Sequence, residues 1–251
     1  MTLRRFLDRI EHPERSLVVL NRSAPEPIQN MLERMFDGQP IDVEESQLPD
    51  AETDRVMLVE GDTVVASSTL DAFADEILLV NSDLFMTGAR ALEEIEPLPV
   101  LERLDEVPFF LRGYPESHSE KMLLILISRY IERLAWTQQD GTIRASFQYL
   151  PRIEDEIGTH QVYRQLDESP VDVHVYGAPG WEPTPDSSIT IHAGYGFDFL
   201  KSWFVIYTPP EEDGEHAALL AIEEGPNRWN GFWTYRQSLV KEIERYVVWN
   251  L

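Results

Sequence analysis

The sequence predicts an α+β fold: an antiparallel or mixed β-sheet packed by helices, ending in an antiparallel meander and a closing amphipathic helix. Three observations carry this expectation. After residue 170, short apolar runs separated by turn residues place strands at 171–176, 189–193, 202–207, 216–223 and 231–235. Earlier in the chain, apolar residues recur at helical spacing in several segments. At the C-terminus, Leu239, Val240, Ile243, Tyr246 and Val247 share one helical face.

The elements follow in order. Leu3, Phe6, Leu7 and Ile10 form one face of a short helix, and Ser16-Leu-Val-Val-Leu20 reads as a buried strand. Ser23 with Glu26 matches a capping box, opening a helix that turns Ile28, Met31, Leu32, Met35 and Phe36 inward. Arg55–Val59 and Thr63–Ser67 flank Glu60-Gly61-Asp62, a hairpin turn, and a short helix follows near Leu70–Ile77. Pro97, Pro99 and Pro108 break the chain. They divide it into an N-terminal α/β half, 1–105, and an α+β half, 106–251, with one continuous domain as the alternative. A second capping box, Ser117 with Glu120, opens the longest helix, which runs to about Trp136. Its apolar residues nearly encircle it, so it belongs in the core. Asp140-Gly141 turns into a strand at Thr142–Tyr149, and Pro151 starts another short helix.

Composition narrows the class. No cysteine is present, which excludes disulfides and thiolate chemistry. The longest apolar run, Met122–Ile127, is far short of the ~20 residues of a membrane span, and the N-terminus lacks a signal-peptide core. A cytoplasmic location is expected. Asp and Glu number 45 against 21 Lys and Arg, a formal net charge of -24, and only Lys121, Lys201 and Lys241 are lysines. Such a surface suits concentrated salt, where at roughly 1 M the screening length falls to about 3 Å. The ordinary alternative is an acidic protein of dilute cytoplasm. Either way, no basic stripe for a nucleic-acid backbone is visible.

Motifs for catalysis are weak. His174 and His192 fall on neighbouring strands and His216 starts another, so three imidazoles have a route to one metal, but no HxH or HExxH spacing enforces it. Glu223-Glu224 alternates to opposite faces of its strand. Gly194-Tyr195-Gly196 is a tight turn without the third glycine or the helix of a phosphate loop. The stronger feature is aromatic: five of the six tryptophans lie after residue 180. Trp181, Trp203, Trp233 and Tyr235, with His174, Tyr176 and Arg236 as polar neighbours, are the candidate walls and anchors of a pocket for a planar or apolar ligand. The competing reading places the same rings in the core beneath the last helix.

The runs TLRRFLDRIEHPERSLVVLNRS, VDVHVYGAPGWEP and WFVIY…AALLAIEEG…GFWTYRQSLVKEIERYV resemble the DICT sensory domain, in the stand-alone form of halophilic archaea. Residues 80–140 carry little of this resemblance. It implies a signal-sensing unit without catalytic residues. With no cyclase, kinase or DNA-binding output segment in the sequence, the expected signal passes by protein contact or homo-oligomerisation. The expected partners are a small molecule, with no cofactor specified, and a signalling protein, not a membrane or nucleic acid. A hydrolase using His174 or His192 with carboxylates, and a pure interaction module, are the alternatives.

Overall fold

Strand alternation and turn chemistry build two sheets in the computed structural model. It describes residues 2–10, 14–24, 28, 30, 32, 33, 36, 38–49, 51–76, 92–112, 119–226 and 228–251. In the first sheet, β1 (Arg15–Leu20), β2 (Asp42–Ser46), β3 (Arg55–Glu60) and β4 (Thr63–Thr69) lie in the order β2-β1-β3-β4. The second holds β5 (Phe109–Arg112), β6 (Thr142–Tyr149), β7 (Asp172–Ala178), β8 (Thr190–Ala193), β9 (Ser202–Thr208), β10 (Ala217–Gly225) and β11 (Arg228–Thr234). Its order is β5-β11-β10-β9-β6-β7-β8. The helices are α1 (Arg4–Leu7), α2 (Pro99–Glu102), α3 (Ser119–Gln138), α4 (Arg152–Asp155), α5 (Ile157–Asp167), α6 (Phe197–Lys201) and α7 (Gln237–Asn250). Residues 70–76 are also helical. The α+β class is therefore as the sequence implies.

The hairpin at Glu60-Gly61-Asp62 forms, with β3 and β4 antiparallel and Gly61 at a positive φ of 57° that the turn requires. Leu32 and Phe36 are buried, while Met31, Met35 and Glu26 lie outside the described residues. Ser23 is engaged by Asp54, while its expected cap partner Glu26 lies outside the described residues. The Ser23 hydroxyl and backbone N–H both donate to Asp54, as does the backbone N–H of Ala24. The Ser23 hydroxyl bond, with the two backbone bonds, holds the Asp54 carboxyl below its usual range. The expected cap of α3 at Ser117 lies outside the described residues.

The meander departs from expectation in part. β9, β10 and β11 run antiparallel in sequence order, but β7 pairs with β6 and with β8 in parallel. The reason lies in the connections: parallel neighbours need a crossover, and α4 with α5 supplies one between β6 and β7. Two strands escape the sequence reading. β2 is acidic and sits at a sheet edge, and β5 directly follows Pro108, at the end of the proline-broken stretch. The proline-broken stretch itself packs inward. Leu98, Val100, Leu101, Leu104 and Val107 are buried in a cluster that also holds Leu17 and Val56 of the first sheet and Val205 and Leu219 of the second.

The second sheet has a core on each face, as the all-apolar run Ala217–Ile222 of β10 demands. Leu219 and Ala221 face the larger cluster under α3, whereas Ala218, Leu220 and Ile222 face a smaller one under α1 and α7. Fully burying each of the leucines and the isoleucine here is worth roughly 1.5–3 kcal/mol. At Gly231 a Cβ would lie 2.7 Å from Ala221 Cβ and 2.8 Å from Phe109 Cζ, so only glycine leaves room for the Phe109 ring.

Candidate functional site

The site begins with polar residues in a buried helix. On α3, Leu123, Leu124, Leu126, Ile127, Tyr130 and Ile131 are buried, and so are Ser128, Arg129 and Glu132. Buried polar groups survive only with partners. Arg129 and Glu132, three apart on one face, supply each other: Arg129 Nη1 donates to Glu132 Oε2 at 2.6 Å, with the carboxylate side chain only 3% exposed. Arg129 Nη2 also donates to Thr159 Oγ1 at 3.3 Å, and Thr159 Oγ1 donates to Glu156 Oε2 at 3.1 Å. Tyr163 is fully buried beside Glu132, and burial first, then that carboxylate, pushes its phenol well above the ordinary value.

These residues form one side of a cavity of about 410 Å³. The opposite side is the sheet: Ala145 and Phe147 of β6, and Trp203 and Val205 of β9. Trp203 Nε1 donates to Ser128 Oγ at 3.3 Å, and its ring meets Trp229 edge-on at 6.3 Å, which fixes the indole on the wall. Phe147 packs edge-on against Tyr163 at 5.0 Å. The mouth is framed by α4 and the start of α5, where Arg152, Asp155, Glu156 and Ile157 are exposed.

Gln148 joins wall to mouth. It sits at a bulge in β6 with φ of 57°, a left-handed conformation uncommon outside glycine. Its amide Nε2 donates to Leu200 O at 2.7 Å and its Oε1 accepts from Arg152 Nη1 at 2.7 Å. The bulge thus aims the side chain at the cavity and holds the guanidinium in place. Gly177 lies opposite, where a Cβ would come within 3.3 Å of the Gln148 carbonyl.

Of the seven residues expected to share one pocket, Trp203 alone lines this cavity. Trp233 is 2% exposed, packs on Phe109 at 5.5 Å, and buries an indole N–H that meets no acceptor among the described residues. Trp181 and Tyr235 pack against the same large cluster. The Tyr235 phenol is raised by burial, then by Glu102, Asp105 and Glu215. Arg236 precedes α7 and pairs with Glu106 at 3.0 Å. His174 and Tyr176 stand on the other face of the sheet, because strand alternation sends them opposite to Val173 and Val175. The sheet itself therefore separates His174 and Tyr176 from the Trp203 wall.

On that second face the histidines do meet. His174 Nδ1 and His192 Nε2 are 2.8 Å apart, and His174 Nε2 is 2.9 Å from Asp172 Oδ2. Tyr176 stacks on His192 at 4.3 Å, and its hydroxyl accepts from Arg144, which pairs with Glu244 of α7 at 3.2 Å. Burial, then His174 and Arg144, lowers the His192 pKa. His216 stays apart, buried and donating to Gly214 O. Among the described residues no three His, Asp or Glu side chains are grouped to hold a metal ion. Glu223 pairs with Lys201 and Glu224 with Arg4, so the adjacent carboxylates are engaged separately. A short helix, α6, does follow the Gly194-Tyr195-Gly196 turn, contrary to expectation.

Sequence reading missed Arg129, Glu132, Gln148, Arg152, Thr159 and Tyr163. A signal existed for the first two: charged residues within a helix expected to be buried all round must meet partners inside the core.

Fold and site together define an α+β domain with a small-molecule-sized cavity against one face of its second sheet. The chain belongs to the DICT family, described as a sensory domain in diguanylate cyclases and two-component systems, whose model matches residues 99–224. That is half of the chain and includes every residue lining the cavity. The N-terminal run and α7 lie outside the match. No curated protein matches the chain. Among solved structures, a polyphosphate kinase from Porphyromonas gingivalis is similar at 8% identity and a TM-score of 0.36. The alignment covers 97% of this chain and 47% of that one, so this chain spans about half its length. So low a likeness carries no argument about fold or function. No helix among the described residues is long and apolar enough to cross a membrane.

Proposed function

We propose that this chain senses a small molecule bound in the cavity between α3, α5 and the β6–β9 face, and passes the signal by protein contact rather than catalysis. The observation that carries the reading is the cavity itself. About 410 Å³ within the family-matched region, walled by a fixed Trp203 and floored by a buried ion pair, falls inside the roughly 300–1,000 Å³ of small-molecule sites. Trp203 keeps its expected role as a wall. The polar anchors are Arg129, Gln148 and Arg152 instead of His174 and Arg236.

A cytoplasmic cue and a signalling-protein partner are part of this proposal. The route outward runs through the sheet: Arg144 of β6 grips Glu244 of α7, and α7 ends in an exposed Val248 and Trp249. A partner seated on α7 would feel a shift of β6. The hydrolase alternative needs a histidine in the cleft, and the cavity lining contains none.

The test is native purification followed by mass analysis of what denaturation releases, for wild type and Trp203→Ala. A metabolite held by the wild type and lost from a folded Trp203→Ala variant is the expected result. Retention of the same metabolite by the variant would overturn the assignment of the cavity.

A further inference from the structure

We infer, resting on the cavity being the binding site, that it takes a small aromatic zwitterion: a planar ring carrying both an ammonium and a carboxylate, as in an aromatic amino acid.

The walls set the ring. Trp203 and Phe147 are both half-buried, lie on neighbouring strands, and are each held edge-on by a second aromatic, Trp229 and Tyr163. Such fixed rings offer a flat apolar surface at little entropic cost. The floor does not choose a charge, because Arg129 and Glu132 already answer each other at 2.6 Å.

Selection by charge falls to the mouth. Arg152 donates to two neutral acceptors, Gln148 Oε1 at 2.7 Å and Phe147 O at 3.5 Å, and its guanidinium lies 5.6 Å from the Tyr149 ring. Among the described residues no carboxylate is paired with it, in a chain where acids outnumber bases about two to one. Asp155, one turn further along α4, lines the same mouth; its backbone N–H donates to Pro151 O at 3.1 Å, while its carboxylate makes no hydrogen bond or ion pair among the described residues. Glu156 adds a second negative group, partly engaged by Thr159. Opposite charges three residues apart that do not pair with each other leave both available to a ligand.

Each simpler ligand meets a mismatch. A plain anion gains Arg152 but faces Asp155 and Glu156. A plain cation gains the carboxylates but faces Arg152. A zwitterion satisfies both signs, with its carboxylate on the planar guanidinium fork.

Calorimetric titration of the whole chain with L-phenylalanine, phenethylamine, 3-phenylpropionate and 2-phenylethanol tests this, since the four share one ring and differ only in head group. The expected result is L-phenylalanine binding at least ~10-fold tighter than the other three. Arg152→Gln is expected to erase its advantage over phenethylamine, and Asp155→Asn its advantage over 3-phenylpropionate. Both positions are exposed, and circular dichroism checks that the variants fold. Equal affinity for all four, abolished by Trp203→Ala, would overturn the zwitterion while leaving the cavity as a binding site. Absence of binding by all four would also overturn it; the metabolite-release experiment then decides separately whether the cavity binds anything.

Discussion

Removing Arg129 is the sharpest probe of the cavity floor. In Arg129→Met, the flexible apolar chain fills much of the space of the arginine stem, but Glu132 is left with a side chain 3% exposed and its 2.6 Å partner gone. Thr159 also loses the guanidinium that donated to it. Breaking one partner of a buried pair costs about 3–5 kcal/mol, because the remaining charge must be desolvated alone or take up a proton. Against a total stability of roughly 5–15 kcal/mol, that is a large fraction. With a urea slope of about 1–3 kcal/mol/M, the unfolding midpoint should fall by at least ~1 M. The double variant Arg129→Met/Glu132→Leu removes the stranded charge and should recover most of the loss. Equilibrium urea unfolding of the wild type and both variants measures this. If the single variant loses under ~1 kcal/mol, or the double variant is no better than the single, the ion pair is not the structural floor described here.

Three other outcomes follow from the same contacts. Gly231→Ala should cost about 2–3 kcal/mol by urea unfolding, near the upper end of overpacking, because the new methyl meets Ala221 Cβ and the Leu220 carbonyl at 2.7 Å; a change below ~0.5 kcal/mol would contradict that crowding. His192 has a folded pKa below the ordinary ~6.5, so its contribution is fully present above about pH 6.5 and is lost as pH falls through that value towards the lowered one. His192→Gln should therefore flatten the acid side of the stability–pH curve, and an unchanged slope would show that other groups control it. With a net charge of -24, thermal unfolding midpoints should rise between 0.2 and 2 M KCl as self-repulsion is screened; a falling midpoint would count against adaptation to concentrated salt.

Local chemistry determined much of this protein from the sequence alone. The hairpin at Gly61, the apolar run Ala217–Ile222 of β10, the alternating β7, the buried α3 and the amphipathic α7 each follow from residues within one element, where period and turn preference act. That Trp203 sits in a strand was legible in the same way, and the structure sets its ring on the cavity wall. What only the tertiary structure decided is which elements meet. Parallel pairing of β6, β7 and β8 depends on a crossover, and β2 and β5 gain their place from a neighbouring strand more than from their own composition. His174 and Trp203 looked like partners in one pocket, yet a sheet has two faces, and strand order together with alternation put them on opposite sides. The cavity is the same kind of fact: Arg129, Gln148 and Arg152 come from three elements, and their convergence rests on how α3 and the α4–α5 crossover pack over β6 and β9. Periodicity reports what one segment buries; long-range packing decides what it is buried against.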